Sequence, residues 1–373
     1  MKHELLIKML ESYASSVVKS RAHDIDEKEE FPVETVKELA RYGLLGLPFP
    51  TQWGGVGADT KAYIDAVRIL SKYCATTGVI VSAHTSLCAH PIFAFGTESQ
   101  KQKYLTRLTS GELLGAFGLT EAGAGTDASG QQTKALDCGD YYEITGNKIF
   151  ITNAGYADVY IIFAVTDQSL GLKGISAFIV EKDMPGFSVG PKEKKMGIRG
   201  SSTCELILQK VRVNKEQLLG KVGEGFKIAM ATLDGGRIGI AAQALGIAEG
   251  AFERTVEYIK KRTQFGRPIS AFQYTQFMVA EMKVKIEAAR LLLYKAVSDK
   301  DQGRPYTESA AMAKLYASRI AVEVADQCIQ LLGGYGYIRD YEIERYLRDA
   351  KITEIYEGTS EVQRMVIAGK VLK

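Results

Sequence analysis

The sequence predicts a mainly α-helical protein with a central β domain, and three observations carry that prediction. Prolines are sparse: there are eight in 373 residues, none between Pro91 and Pro185, and only Pro268 and Pro305 beyond Pro191, so long stretches lack the residue that breaks helices. Apolar residues recur at three- and four-residue steps toward both ends of the chain. The middle third instead carries short β-branched and aromatic runs bounded by Gly, Asn or Asp. The order is therefore helical, β, helical, dividing the chain into 1–112, 113–222 and 223–373.

Each part has its own signals. In the first, Pro32 opens a helix with Val33, Val36 and Leu39 on one face, and Gly43 can cap its end. In the second, Tyr141–Thr152, Val159–Thr166, Ile175–Val180 and Cys204–Gln209 read as strands, and Thr145-Gly146, Asn153-Ala-Gly155 and Met184-Pro-Gly-Phe187 supply turns. A small antiparallel barrel or sandwich is the economical arrangement. In the third, three amphipathic helices follow from Leu245, Ala248, Phe252, Val256 and Ile259, from Met278, Met282, Ile286, Ala289 and Leu293, and from Ile320, Val324, Cys328 and Leu331. A fourth helix is expected near the end. Pro268 and Pro305 fall in connections, the pattern of an antiparallel four-helix bundle.

Composition excludes several classes of function. The chain is 46% hydrophobic and 24% charged with a net charge of +3, and no block of Lys or Arg forms the footprint of a nucleic-acid binder. No apolar run of the length a membrane span needs is expected, and Met1-Lys-His-Glu4 does not open like a signal peptide, so the expected location is the cytoplasm. The five cysteines are odd in number and widely spaced, which suits reduced thiols. With His84 and His90 poorly partnered, no metal site is expected.

Several motifs can carry chemistry. Phe117-Gly-Leu-Thr-Glu-Ala-Gly-Ala-Gly-Thr126-Asp127 is not the G-x-G-x-x-G fingerprint, and no strong helix follows it. It is either a plain glycine loop or a ligand loop in which backbone amides and the hydroxyls of Thr120 and Thr126 reach a polar ring edge or phosphate. Phe150 and Thr152 fall on one sheet face, where a ring can cover a flat ligand and a hydroxyl can donate to it; an ordinary core Phe beside a satisfied Thr would read the same. Lys261-Arg262 ends a long helix, where the dipole favours cations with or without a ligand. Asp234-Gly-Gly-Arg237 interrupts a helical pattern, as though something must approach the backbone closely. Gln330-Leu-Leu-Gly-Gly334 is at minimum a helix C-cap. In Ile355-Tyr-Glu357-Gly-Thr-Ser-Glu361, a carboxylate sits between an aromatic residue and a glycine.

In this order and spacing the motifs resemble the acyl-CoA dehydrogenase family nearly end to end, and most of all its short-chain, butyryl-CoA branch from anaerobic bacteria, through Val81-Ser-Ala-His-Thr-Ser-Leu87 and Ala242-Gln-Ala-Leu-Gly-Ile-Ala-Glu-Gly250. The resemblance implies an N-terminal helical domain, a middle β-barrel and a C-terminal helical bundle. It implies FAD as cofactor, α,β-dehydrogenation of short-chain acyl-CoA or the reverse enoyl-CoA reduction, electron exchange with an electron-transferring flavoprotein, and a homotetramer. The main alternative is an enoyl-CoA reductase for another acyl group, such as an aryl-acrylyl; a non-catalytic CoA-binding scaffold would have lost the base or flavin residues. Glu357 is implied as the base that takes the α-proton. Phe117, Leu119, Thr120, Phe150, Ile151, Thr152, Thr359, Ser360 and Glu361 are implied at the FAD, with Arg262, Gln273, Gln330, Leu331, Gly333 and Gly334 reaching the FAD of a neighbouring subunit. Thr126, Asp234, Arg237 and Gly358 are implied to line the acyl-CoA channel. Ala122, Trp53 and Tyr274 depart from residues common in the family.

Overall fold

The computed structural model describes residues 2–372. Its first part is helical: α1 (Lys2–Tyr13), α2 (Lys19–Lys28), α3 (Val33–Arg41), α4 (Thr60–Tyr73), α5 (Ala75–Ser82), α6 (His90–Phe95), and the short α7 (Glu98–Gln100) and α8 (Thr106–Thr109). Pro32 stands at the N-cap of α3, and Gly43 follows its end with a left-handed φ of 73°. Asp59 caps α4 by accepting the Ala62 N–H at 2.8 Å, an arrangement worth about 1 kcal/mol. The run Ala75–Phe95, whose middle coils as a π-helix between α5 and α6, does meet the length and apolarity of a membrane span, contrary to expectation. Of its most apolar window, 78% is buried within the fold, which is how a core helix passes the same test.

The middle part is one sheet of eight strands: β1 (Gly115–Gly118), β2 (Lys134–Asp137), β3 (Tyr141–Thr152), β4 (Val159–Val165), β5 (Ile175–Glu181), β6 (Phe187–Lys192), β7 (Thr203–Asn214) and β8 (Leu218–Leu219). Along the sheet the order is β6-β7-β3-β2-β4-β5-β8, with β1 also on β4. Most neighbours are antiparallel, as the short alternating runs predict. The difference is at β4, which pairs in parallel with β1 and through a single residue with β2. The chain enters the sheet there from the helical part, and a strand arriving that way need not form a hairpin. His84 fastens this junction: its Nδ1 accepts the Gly115 N–H at 3.1 Å, and its Nε2 donates to the Leu108 carbonyl at 3.1 Å.

The last part holds α9 (Gly225–Lys261), a small hairpin of β9 (Thr263–Gln264) and β10 (Arg267–Pro268), and then α10 (Gln273–Asp301), α11 (Thr307–Leu332), α12 (Gly334–Tyr337), α13 (Ile343–Thr353) and α14 (Ser360–Val371). Leu245, Ala248, Met282, Ile286, Leu293, Ile320, Val324 and Cys328 pack in one core that extends into α4, while Phe252 and Leu331 sit at its edge. Asp234-Gly-Gly-Arg237 does not interrupt the helix as expected; it lies inside α9, whose packing outweighs the roughly 1 kcal/mol that each glycine costs. An ion pair and a hydrogen bond tie the parts together. Arg348 of α13 meets Asp26 of α2 at 2.5 Å, and the Asp349 carboxylate accepts the Ile198 N–H at 2.5 Å.

Candidate active site

The site begins with the glycine loop that follows β1. Glu121 closes the loop on itself, accepting the backbone N–H groups of Gln132 at 2.5 Å and Thr133 at 3.1 Å. Its partner is Lys148 of β3, fully buried, whose ammonium reaches Glu121 at 2.6 Å, the Leu119 carbonyl at 3.2 Å and Gln131 at 3.1 Å. Burial would raise the Glu121 carboxyl, yet Lys148 and the two amides hold it below its usual range; burial pushes Lys148 down to about 8. The loop is thus pinned from beneath. On its open side, a Cβ added at Gly123 or Gly125 would meet no atom within 4 Å, so the protein's own packing does not require these glycines and the face is left for something flat to approach.

The second wall is the end of β3. A bulge between Lys148 and Ile151 breaks the register with β7, and Phe150 takes a left-handed φ of 58° that leaves its ring 61% exposed. Phe150 is therefore not a core residue, and Thr152 faces the same way while Ile151 between them is buried. Asn153 follows at φ 68°, fully buried, donating to the carbonyls of Ile80 and Gly115 at 3.2 and 3.3 Å. Non-glycine residues in this region cost of order 1 kcal/mol each, so the neighbourhood must impose the conformation.

The third wall is the turn between α13 and α14. Glu357 has φ 52° and Gly358 φ 90°, and Thr359 caps α14 by accepting the Val362 N–H at 3.3 Å. A side chain at Gly358 would be strained by its φ of 90°, and its Cβ would lie 2.7 Å from Gln363 Nε2. The turn sends the Glu357 side chain against α9, where Oε2 is shielded from solvent and without a hydrogen-bond partner. A Cβ on Gly236 would meet that oxygen at 2.0 Å, so Gly236 makes room for the carboxylate. Burial raises Glu357 to about 7, with Lys314 and Arg237 pulling the other way. Arg237 is buried, pairs with Asp234 at 2.5 Å and leaves its Nε unpartnered; Thr307 donates to the other Asp234 oxygen at 2.6 Å. Among the described residues, the Glu357 N–H donates to no protein acceptor.

These walls enclose two joined cavities. One, about 390 Å³, is lined by Phe117, Leu119, Thr120, Thr126, Ile151, Arg237 and the apolar Leu87, Phe226, Met230 and Leu233. The other, about 630 Å³, runs past Ala122 toward Lys195, Met196, Lys351 and Thr359. Thr120, Gly125, Thr126, Phe150, Thr152, Tyr356, Glu357 and Gly358 stand in both. Such a pair, with one buried carboxylate raised toward neutrality at the shared wall, can hold two ligands side by side and move a proton at their meeting point. Ser360 and Glu361 line neither cavity: Ser360 is buried, with its hydroxyl toward the Glu354 carbonyl at 3.4 Å, and Glu361 is exposed beside Arg364. Arg262, Gln330, Leu331, Gly333 and Gly334 gather elsewhere, around a hollow of about 490 Å³ at the end of α9, and Gln273 is exposed outside its lining. Trp53 is buried and Tyr274 exposed.

Sequence reasoning missed Lys148, Glu121, Lys314 and Gln363. Lys148 falls on the inward side of the β3 alternation with Tyr142 and Ile144, and Lys314 lies three or four residues from Ala310, Ala311, Ala317 and Ser318, all buried. A lysine on an apolar face is the signal in both cases.

The family descriptions that match are the acyl-CoA dehydrogenase N-terminal domain over residues 1–112, the middle domain over 116–211 and the C-terminal domain over 223–372. The short-chain specific acyl-CoA dehydrogenase of Clostridium acetobutylicum is 57% identical over 370 residues, covering 99% of this chain and 98% of that one. The butyryl-CoA dehydrogenase structure from Megasphaera elsdenii superposes with a TM-score of 0.98 at 51% identity, covering 100% of this chain and 98% of the other. A chain in a structure concerned with the electron transferring flavoprotein of Acidaminococcus fermentans and flavin-based electron bifurcation gives 0.98 at 53% identity, with the same coverage.

Proposed function

As this chain belongs to the acyl-CoA dehydrogenase family, a FAD-dependent family of oxidoreductases, we propose that it interconverts short-chain acyl-CoA and enoyl-CoA thioesters with Glu357 as the base. The observation that carries this reading is the Glu357 Oε2: buried, unpartnered, raised to about 7 and standing where the two cavities meet. The residues present fit the cofactor. The open face of the Gly123–Gly125 loop, the outward ring of Phe150 and the hydroxyl of Thr152 would hold the flavin, with Phe117, Leu119, Thr120, Ile151 and Thr359 as its surroundings, while Ser360 and Glu361 stand behind the Thr359 cap rather than in either cavity. When bound, FAD supplies the acceptor for the electron pair that leaves with the substrate's β-hydrogen.

The chain's own residues do the rest. A thioester α-proton becomes acidic only when the carbonyl oxygen is stabilised as charge develops on it. The Glu357 N–H, without a protein acceptor, is a donor available for that oxygen, and Gly358 at φ 90° permits the turn that presents it. The α C–H bond breaks with its proton passing to the Glu357 carboxylate; in the reverse direction the same group, protonated, returns it. A value near 7 suits both tasks. Leu87, Phe226, Met230 and Leu233 give the acyl side of the cavity apolar walls, and Thr126 with the Asp234–Arg237 pair supplies its polar side.

We assign Arg262, Gln273, Gln330, Leu331, Gly333 and Gly334 to a second half-site, completed when a neighbouring copy supplies its FAD, in a cytoplasmic tetramer of three-domain subunits that exchanges electrons with an electron-transferring flavoprotein. The short-chain reading is favoured over the aryl-acrylyl one by the 57% identity to a short-chain specific relative. The test is Glu357→Gln, mixed anaerobically with butyryl-CoA while the flavin absorbance is followed. The variant should retain FAD and bind the thioester, yet lose the bleaching rate by about 10²- to 10⁴-fold; bleaching at the wild-type rate overturns the assignment.

A further inference from the structure

We propose that Lys314 is the positioning residue of this site: its buried ammonium clamps the turn that carries Glu357 and supplies the positive charge that the base faces. The proposal rests on Glu357 being the base. Lys314 projects from α11 and is fully buried, and its Nζ donates to the Gly358 carbonyl at 2.6 Å. Gln363 of α14, also fully buried, donates to the same carbonyl at 2.8 Å and reaches the Glu357 carbonyl at 3.4 Å. Two helices thus hold one strained turn, fixing where the Glu357 N–H and carboxylate point.

The charge needs its own explanation. A hydrogen bond to Gly358 is already provided by a neutral amide, and burying an ammonium is costly unless a negative partner compensates. The hydrogen-bond partner of Lys314 is a carbonyl, so the compensating group must lie further off, and it is Glu357. Burial brings Lys314 down to about 8 while Glu357 resists that fall, and Lys314 reciprocally resists the rise of Glu357. The other groups facing Glu357 do not replace it. Arg237 on α9 is already paired with Asp234 at 2.5 Å, while Tyr63 on α4 and the adjacent Tyr356 are neutral phenols pushed up by burial. Glu354 and Glu361 act on Lys314 more weakly than Glu357 does.

The experiment measures butyryl-CoA oxidation by the holoenzyme against pH, and in parallel the pH dependence of crotonyl-CoA affinity for the oxidised holoprotein. Wild type is compared with Lys314→Met, Lys314→Gln, Lys314→Arg and Glu357→Gln. The Met and Gln variants lose the charge, and Gln keeps a donor; both should move the rise in rate, and the matching step in crotonyl-CoA affinity, up by about one pH unit. At pH 7 that lowers the rate about fivefold, with recovery above pH 9. Lys314→Arg should leave the step where it is, and Glu357→Gln should show no step in affinity. If the Met variant does not fold, the Gln variant carries the test. An unmoved step in the charge-free variants beside an inactive Glu357→Gln overturns the role of Lys314 alone; full activity in Glu357→Gln removes the base assignment and this proposal with it.

Discussion

Gly236→Ala probes the placement of the base without touching it. The added Cβ would stand 2.0 Å from Glu357 Oε2, 3.0 Å from its Cδ and 3.0 Å from Leu87 Cδ2. Ordinary contact begins near 3.4 Å, so the carboxylate oxygen must retreat by about 1.4 Å. The backbone turn cannot follow freely, because Lys314 and Gln363 both hold the Gly358 carbonyl. A misplacement of about 1 Å costs on the order of 10²-fold in rate, about 2.7 kcal/mol of barrier. The fold should survive: alanine improves the helix by about 1 kcal/mol, against roughly 1 to 3 kcal/mol for overpacking. Anaerobic stopped-flow reduction by butyryl-CoA reads the rate, and thermal unfolding of the holoprotein confirms that the variant is folded. Gly235→Ala is the control, since its Cβ would meet only Lys300 Nζ at 3.5 Å, and its rate should stay near wild type. A folded Gly236→Ala enzyme within about threefold of wild type would refute the idea that α9 fixes the carboxylate.

Two further outcomes follow from the buried charges. The Glu357 carboxyl, raised by burial from 4.5 to about 7, keeps its proton in the folded state through a range where the unfolded chain has lost it, so this group costs stability progressively as pH rises from 4.5 to 7. Glu357→Gln removes that titration, and its Tm should exceed that of wild type above pH 7, with the gap closing below about pH 4.5; a gap independent of pH would contradict the burial of the carboxyl. Lys148→Met leaves Glu121 buried without its cation and should cost about 3 to 5 kcal/mol while loosening the glycine loop. The flavin-to-protein absorbance ratio after desalting should fall well below that of wild type, and full flavin content in this variant would show that the pair does not shape the site.

Legibility in the sequence followed how local each cause was. Helix periodicity finds Met282, Ile286 and Leu293 because the face a helix buries is written every three or four residues along it, and all three are core. The four main strands were readable for the same reason, but the parallel pairing of β1 with β4 was not, since it joins residues more than forty positions apart. Asp234-Gly-Gly-Arg237 shows the limit most clearly. The residues suggest a close approach to the backbone, which is correct, and a broken helix, which is not, because the approaching group is a carboxylate from a turn 121 residues later, and only the assembled structure shows that α9 continues past it.

Among the described residues eight non-glycine ones have positive φ, and half of them stand at or next to the joined cavities: Phe150 and Glu357 in the shared wall, Ile198 in the larger cavity, and Asn153 directly after Thr152. Of the others, Glu29 follows the end of α2, Phe265 stands in the β9–β10 hairpin, and Lys210 lies where β7 shifts register with β3. Each of the four is held by something remote in sequence: the β7 register at Phe150, the Ile80 and Gly115 carbonyls at Asn153, the Asp349 carboxylate at Ile198, and Lys314 with Gln363 beside Glu357. Packing between distant parts of the chain thus imposes conformations that local preference resists, and it does so where an aromatic face and a carboxylate must be presented to ligands. Weakening any of these distant holds should therefore reach the chemistry before it reaches the fold, which is why Lys314 and Gly236, neither of which accepts the proton, are the sensitive places to alter.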